Sequence, residues 1–140
     1  MTINSIQDKI VEDFAALNDW LDKYEYIISL GKELAPLDDR LKTEENAVKG
    51  CQSKVWITSK LSGGKISFLA DSDALITRGL IALLLRVLNN QIPEDVVNTE
   101  LYFIDRIGLS SNLSPSRANG LASIVKHVKW YSQSYLEPNP

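Results

Sequence analysis

Lys54-Val55-Trp56-Ile57-Thr58-Ser59-Lys60, then Ser62-Gly63-Gly64-Lys65, then Ile66-Ser67-Phe68-Leu69-Ala70, are the residues that decide the fold class. In the first stretch Val55, Ile57 and Ser59 alternate with Trp56 and Thr58, and β-branched and aromatic side chains dominate, which is strand character. The glycine pair is a turn signal, and the apolar stretch after it returns, so the two segments predict an antiparallel hairpin. Ala47-Val48, just upstream, is expected to add a short third strand.

Helical patterns flank the hairpin on both sides. Residues 73–90 are apolar nearly all round, with Leu75, Ile76, Leu80, Ile81, Leu83, Leu84, Leu85, Val87 and Leu88, which predicts a buried central helix packed on the sheet. Gly79 inside it costs about 1 kcal/mol relative to alanine, a cost that close approach to the sheet would justify. Upstream, Ile3, Ile6, Ile10, Phe14 and Leu17 recur at helical spacing, and Asn18 or Asp19 can cap a second helix through Trp20, Tyr24, Ile27, Ile28 and Leu34. Pro36 ends that helix, and residues 38–46 read as loop. Downstream, Pro93 opens one short helical turn and residues 100–107 form another. Ser114-Pro115 starts a last helix, with Ser as cap and Pro at the first helical position. Ala118, Leu121, Val125, Val128 and Ser132 of that helix are expected to face the core, and residues 137–140 to fray. The sum is α+β: a small antiparallel sheet with helices packed on one face.

At 140 residues, the chain reads as one domain, residues 1–140. With 44% hydrophobic and 24% charged residues it has enough apolar material for a core without staples. A net charge of −3 with scattered Lys and Arg argues against nucleic acid as a partner. Acidic residues crowd the first helices (Asp8, Glu12, Asp13, Asp19, Asp22, Glu25), either as a solvated face or as a docking surface. The start of the chain lacks the apolar segment of a signal peptide, and the run 79–85, between Arg78 and Arg86, is too short to span a bilayer. A single cysteine forms no internal disulfide, so a cytoplasmic location is expected.

That cysteine, Cys51, is the candidate working atom. A lone cysteine is by default a small buried hydrophobe. Cys51, however, follows Gly50 and precedes Gln52-Ser53 outside any apolar run, where glycine lets a tight loop present a thiol. Lys49 and Lys54 flank it, and nearby cations are expected to favour the thiolate. With one cysteine and one histidine, the chain cannot itself supply the usual ligands of a cluster or structural zinc, so no metal site is expected. There is no CxxC for dithiol exchange. A Cys51/His127 hydrolase needs the two groups within hydrogen-bond reach, and His127 lies deep in the last helix, where a helix-surface or edge role is the plainer one. A lone thiol can still attack an electrophilic sulfur, since exchange with a persulfide needs no general base.

Four blocks resemble the SufE family and its relative CsdE: Trp20, Tyr24, Ile27-Ile28 and Leu30-Gly31; Gly50-Cys51-Gln52-Ser53-Lys54-Val55-Trp56; Asp71-Ser72-Asp73-Ala74 with Arg78 and Gly79-Leu80-Ile81-Ala82; and Leu113-Ser114-Pro115-Ser116-Arg117 with Gly120-Leu121. They run in the family's order over nearly the whole chain, and GCQS together with PSRxxGL is specific. Lys54 departs from the uncharged polar residue often found there. The resemblance implies a fold similar to the IscU scaffold. It also implies an activator of a SufS-type cysteine desulfurase that accepts persulfide sulfur on Cys51 and relays it to a SufBCD-type scaffold for iron–sulfur assembly. On that footing the chain carries no cofactor of its own, the pyridoxal phosphate belonging to the desulfurase, and it works as monomer or homodimer. A CsdE-like carrier serving other acceptors is the near alternative; a stand-alone Cys51/His127 thiol enzyme and a structural domain with an inert cysteine are the distant ones.

Two further matched positions carry two readings each. Asp73 is expected to cap the central helix, worth about 1 kcal/mol, or to modulate the cysteine loop or dock a partner. Arg117 stands in the first turn of the last helix, where a cation opposes the helix dipole, so a salt bridge or a partner contact is expected, the family match favouring the partner. Gln52 either hydrogen-bonds the loop or lines the thiol pocket. Asp71, Tyr102 and Phe103 have no role that the sequence assigns.

Overall fold

Gly63 and Gly64 take φ of +59° and +77°, the left-handed pair that a two-residue hairpin loop demands. In the computed structural model, which describes residues 1–137, this turn joins β1 (Val55–Ser62) to β2 (Lys65–Ser72). Ser62 pairs with Lys65, and the register runs unbroken to Val55 opposite Ser72. Period-2 alternation then sends Val55, Ile57, Ile66, Phe68 and Ala70 into the core, while Leu69 on the other face is exposed. The expected fraying at residues 138–140 lies outside the described residues.

The third strand shrinks to a single bridge. Ala47 bridges Trp56, and the Val48 N–H donates to the Val55 carbonyl at 2.9 Å, but among the described residues the sheet has two strands. Gly50, at φ +86°, turns the chain away before more pairs can form.

The buried central helix is α3 (Leu75–Leu88), which packs on β2 and on α2 (Trp20–Glu33). Asp19 caps α2 by accepting from the Asp22 N–H at 3.0 Å. The reason for Gly79 differs from the expected one. A Cβ there would lie 2.1 Å from the Ile27 carbonyl oxygen, and one on Gly31 would lie 2.7 Å from the Gly79 nitrogen. The close approach is therefore between α2 and α3, backbone to backbone, and not against the sheet.

In α1 (Ile3–Ala15) the buried face includes Gln7 as well as Ile3, Ile10 and Phe14. Its amide donates to the Glu100 carbonyl and accepts from the Phe103 N–H, at 3.0 and 3.2 Å, so both ends of a buried polar group are satisfied. After α4 (Pro93–Asn98) and α5 (Phe103–Arg106), a further short helix, α6 (Leu109–Asn112), begins at Gly108 with φ +88°. The long α7 (Pro115–Ser134) starts as expected, with Ser114 Oγ accepting from the Arg117 N–H at 3.3 Å. Leu121, Ile124, Val128 and Ser132 are buried, whereas Ala118 and Val125 are only half-buried. Tyr131 Oη donates to the Ile57 carbonyl at 3.0 Å, tying α7 to β1. The architecture is α+β. Among the described residues, no helix is long and apolar enough to cross a membrane.

Candidate functional site

The loop that carries Cys51 is pinned at both ends. On one side Val48 bonds Val55. On the other, the Asp73 carboxylate accepts from the Lys54 N–H at 3.0 Å, while the Asp73 N–H donates to the Lys54 carbonyl at 3.2 Å. The expected helix-capping role of Asp73 is thereby corrected. Ala74 stands at the cap of α3 and offers no side-chain bond; the Ala74 N–H donates instead to Ser72 Oγ at 3.2 Å. Asp73 lies one residue too far upstream to cap, and its oxygen is spent on the cysteine loop.

Between the pins, Gly50 presses against α7: a Cβ there would stand 2.7 Å from Ser123 Oγ, in a conformation that L side chains rarely adopt. The turn aims Cys51 at the helix. Its Sγ–H donates weakly to the Gly120 carbonyl at 3.6 Å, and the thiol is free and half-buried. Beside it opens a cavity of about 300 Å³, walled by Gln52, Thr77, Leu80, Arg117 and Gly120 among others.

Electrostatics here run against the sequence expectation. Burial pushes the Cys51 thiol above its ordinary pKa, and no lysine offsets it. Lys49 is turned to Glu44 at 3.1 Å, and Lys54 is exposed. Desolvation disfavours the charged form of any acid removed from water. The resting state is therefore a protected thiol, not a flanked thiolate.

Of the residues singled out from sequence, Cys51, Gln52 and Arg117 meet at the cavity, Gly50 shapes the loop, and Asp73 holds its far end. Arg117 is exposed and makes no ion pair among the described residues. Its expected internal salt bridge is thus absent there. His127 does not join the site. It lies seven residues beyond Gly120, roughly 10 Å along the helix axis. Its ring sits against Trp130 and Tyr131, burial lowers its pKa, and Nε2 is buried with no partner among the described residues.

Sequence reasoning missed Thr77 and Gly120 as cavity walls, and it left Asp71 without a role. Thr77 is the one hydroxyl in a mostly apolar helix, and Gly120 is a glycine well inside a helix; either oddity was a readable signal. Asp71 is 3% exposed. It accepts from the Leu37 and Ser72 N–H groups and pairs with Arg78, whose guanidinium also donates to the Gly31 and Leu34 carbonyls at the end of α2. Burial alone would raise the Asp71 carboxyl, but those N–H donors and the Arg78 and Lys42 charges outweigh it and hold the pKa below the ordinary value.

Frame and site together define a small α+β protein with one free, half-buried thiol on a pinned loop. The chain belongs to the SufE family: residues 8–132 match the family model described as an Fe–S metabolism associated domain. It is 42% identical over 127 residues to an uncharacterised SufE-like protein of Rhizobium etli, covering 87% of this chain and 86% of the relative. An uncharacterised SufE-like protein of Rhizobium meliloti is 38% identical, with 92% and 96% covered. One from Synechocystis is 42% identical, with 86% and 76% covered. The solution structure of a hypothetical protein from Thermus thermophilus is similar, with a TM-score of 0.77 at 20% identity over 94% of this chain and 96% of that one; that likeness bears on the fold alone.

Proposed function

We propose that this protein is a sulfur acceptor and activator for a SufS-type cysteine desulfurase, with Cys51 as the accepting atom. The observation that carries this is the placement of the chain's one thiol: half-buried, hydrogen-bonded only weakly, and set beside a cavity in a loop pinned at both ends. Family membership supports a role in iron–sulfur metabolism.

The chemistry follows from the state of the thiol. In the resting protein burial keeps Cys51 protonated and protected from stray oxidants. Docking on the desulfurase must draw the loop out, which restores solvent and lowers the pKa toward that of a free cysteine, roughly 8.5. The thiolate then attacks the outer sulfur of the partner's persulfide. An S–S bond forms at Cys51, the partner's S–S bond breaks, and the partner cysteine leaves as a thiolate. Back in its resting position, the loop shelters the new persulfide until a SufBCD-type scaffold takes the sulfur. Arg117, exposed at the cavity wall and without an ion pair among the described residues, is the residue we assign to partner docking; Gly50 and Asp73 serve loop geometry, and Gln52 lines the cavity. Pyridoxal phosphate chemistry belongs to the desulfurase. A reducing compartment such as the cytoplasm suits a thiol that must stay free.

The test combines the protein, a SufS-type desulfurase and cysteine, and follows alanine production and intact mass. Faster alanine formation with one added sulfur on Cys51 is the expected result. Equal stimulation by Cys51→Ser would sink the proposal.

A further inference from the structure

Thr77 is 8% exposed and lines the cavity beside Cys51, and no hydrogen bond ties its side chain to a described residue; its oxygen is not sealed off, since His127 Nε2 is the one buried side-chain atom without a partner among the described residues. Ser132, by contrast, is fully buried in α7 and donates to the Val128 carbonyl at 3.0 Å. A hydroxyl on a nine-tenths buried residue that bonds no protein group is left to whatever enters the space it faces, water in the unloaded protein. Because Thr77 lines the cavity beside Cys51, the cavity is where its hydroxyl is free to donate.

Gly120 supplies the space. A Cβ there would point at the thiol, 3.7 Å from Cys51 Sγ and 3.9 Å from its Cα and Cβ. Nothing forbids that methyl: the distances are ordinary contact, and alanine is a better helix former than glycine. Its absence leaves open the volume next to Sγ where one more sulfur atom would sit.

We propose that Thr77 and Gly120 form a seat for the outer sulfur of a Cys51 persulfide, with the Thr77 hydroxyl donating to that sulfur in the space Gly120 leaves open. This rests on the acceptor role above and deepens it by naming what holds the cargo. A persulfide is a stronger acid than a thiol, so its outer sulfur carries charge at neutral pH and needs a donor once it is out of water. The Gly120 carbonyl, an acceptor, suits the protonated resting thiol but not the anion. Thr77 supplies the donor that the loaded state requires.

The seat is tested without a desulfurase, by loading Cys51 with inorganic polysulfide. Sγ attacks a terminal sulfur; one Sγ–S bond forms, one S–S bond of the polysulfide breaks, and the shortened polysulfide leaves with the electron pair. Two quantities are read: the rate at which dithiothreitol strips the outer sulfur, and the change in melting temperature on loading. Thr77→Val keeps the shape and removes the hydroxyl. It is expected to leave the unloaded protein at least as stable, to speed sulfur loss by about tenfold, and to shrink the loading shift. Thr77→Ser should restore wild-type behaviour, and Gly120→Ala should behave like Thr77→Val. Wild-type release and an undiminished loading shift in Thr77→Val would overturn the seat. If polysulfide loading depends on Thr77 but the desulfurase ignores the protein, the seat stands and the acceptor role falls. If the desulfurase loads Cys51 while Thr77 has no effect, the reverse holds.

Discussion

Thr77 and Arg78 are neighbours on the first turns of α3, and the molecule treats them in opposite ways. Arg78 points into a junction where every group has a partner: Asp71, two carbonyls at the end of α2, and two backbone N–H groups on the same carboxylate. Thr77 instead lines the cavity beside Cys51, where no hydrogen bond to a described residue holds its side chain. One side of the helix is an anchor and the other a cavity wall. A saturated polar network rigidifies what it joins. A hydroxyl left to a cavity stays free to exchange water for a ligand. The juxtaposition teaches that the strand-to-helix turn 71–78 can hold the frame still while the thiol loop on its far side changes state.

The anchor is the place where a change should cost most. Asp71→Ala leaves Arg78 buried without its counter-charge, and breaking such a pair costs about 3–5 kcal/mol. Urea denaturation should show a loss of that order, and a loss under about 1 kcal/mol would end the anchor interpretation. Acid sensitivity gives a second view. Because the folded Asp71 pKa is depressed, its contribution is complete above the unfolded value, roughly 3.9. It drains away as pH falls through the lower folded value. Wild type should therefore lose stability more steeply than Asp71→Ala below about pH 4.

Gly79→Ala tests the same side by a steric route. Its methyl would meet the Ile27 backbone at 2.1 Å, so α2 and α3 must part, at a cost of about 1–3 kcal/mol in thermal denaturation. Asp73→Ala acts at the boundary between the two regions. Removing the carboxylate that holds Lys54 N–H should cost about 1 kcal/mol and speed alkylation of Cys51 by a small neutral reagent, as the loop loses one pin. On the cavity side, Arg117→Ala should change stability by less than about 0.5 kcal/mol while weakening stimulation of the desulfurase. A large stability loss there would mean that Arg117 belongs to the frame. The smallest effect expected is that of Lys49→Ala on the pH profile of Cys51 alkylation. The midpoint should lie above that of a free cysteine, since burial raises the thiol, and should not move in Lys49→Ala, since that ammonium is paired with Glu44.

Periodicity and punctuation were enough to read the hairpin, the buried helix, the capped start of α7 and the thiol worth watching. Alternating side chains, a Gly63-Gly64 pair and a Ser-Pro helix start act over a few residues, and their physics is complete within that span. Tertiary structure decided the rest. It turned Gly79 toward α2 rather than the sheet, moved Asp73 from helix cap to loop pin, and cut the third strand to one bridge. It also reversed the expected shift of Cys51, because the chain's lysines near in sequence proved less important than the water excluded by α7, which lies 69 residues away at Gly120. A thiol's pKa, a hydroxyl's place at a cavity wall and a glycine's reason all depend on which distant segments pack against them. That is set by packing, and no local pattern encodes it.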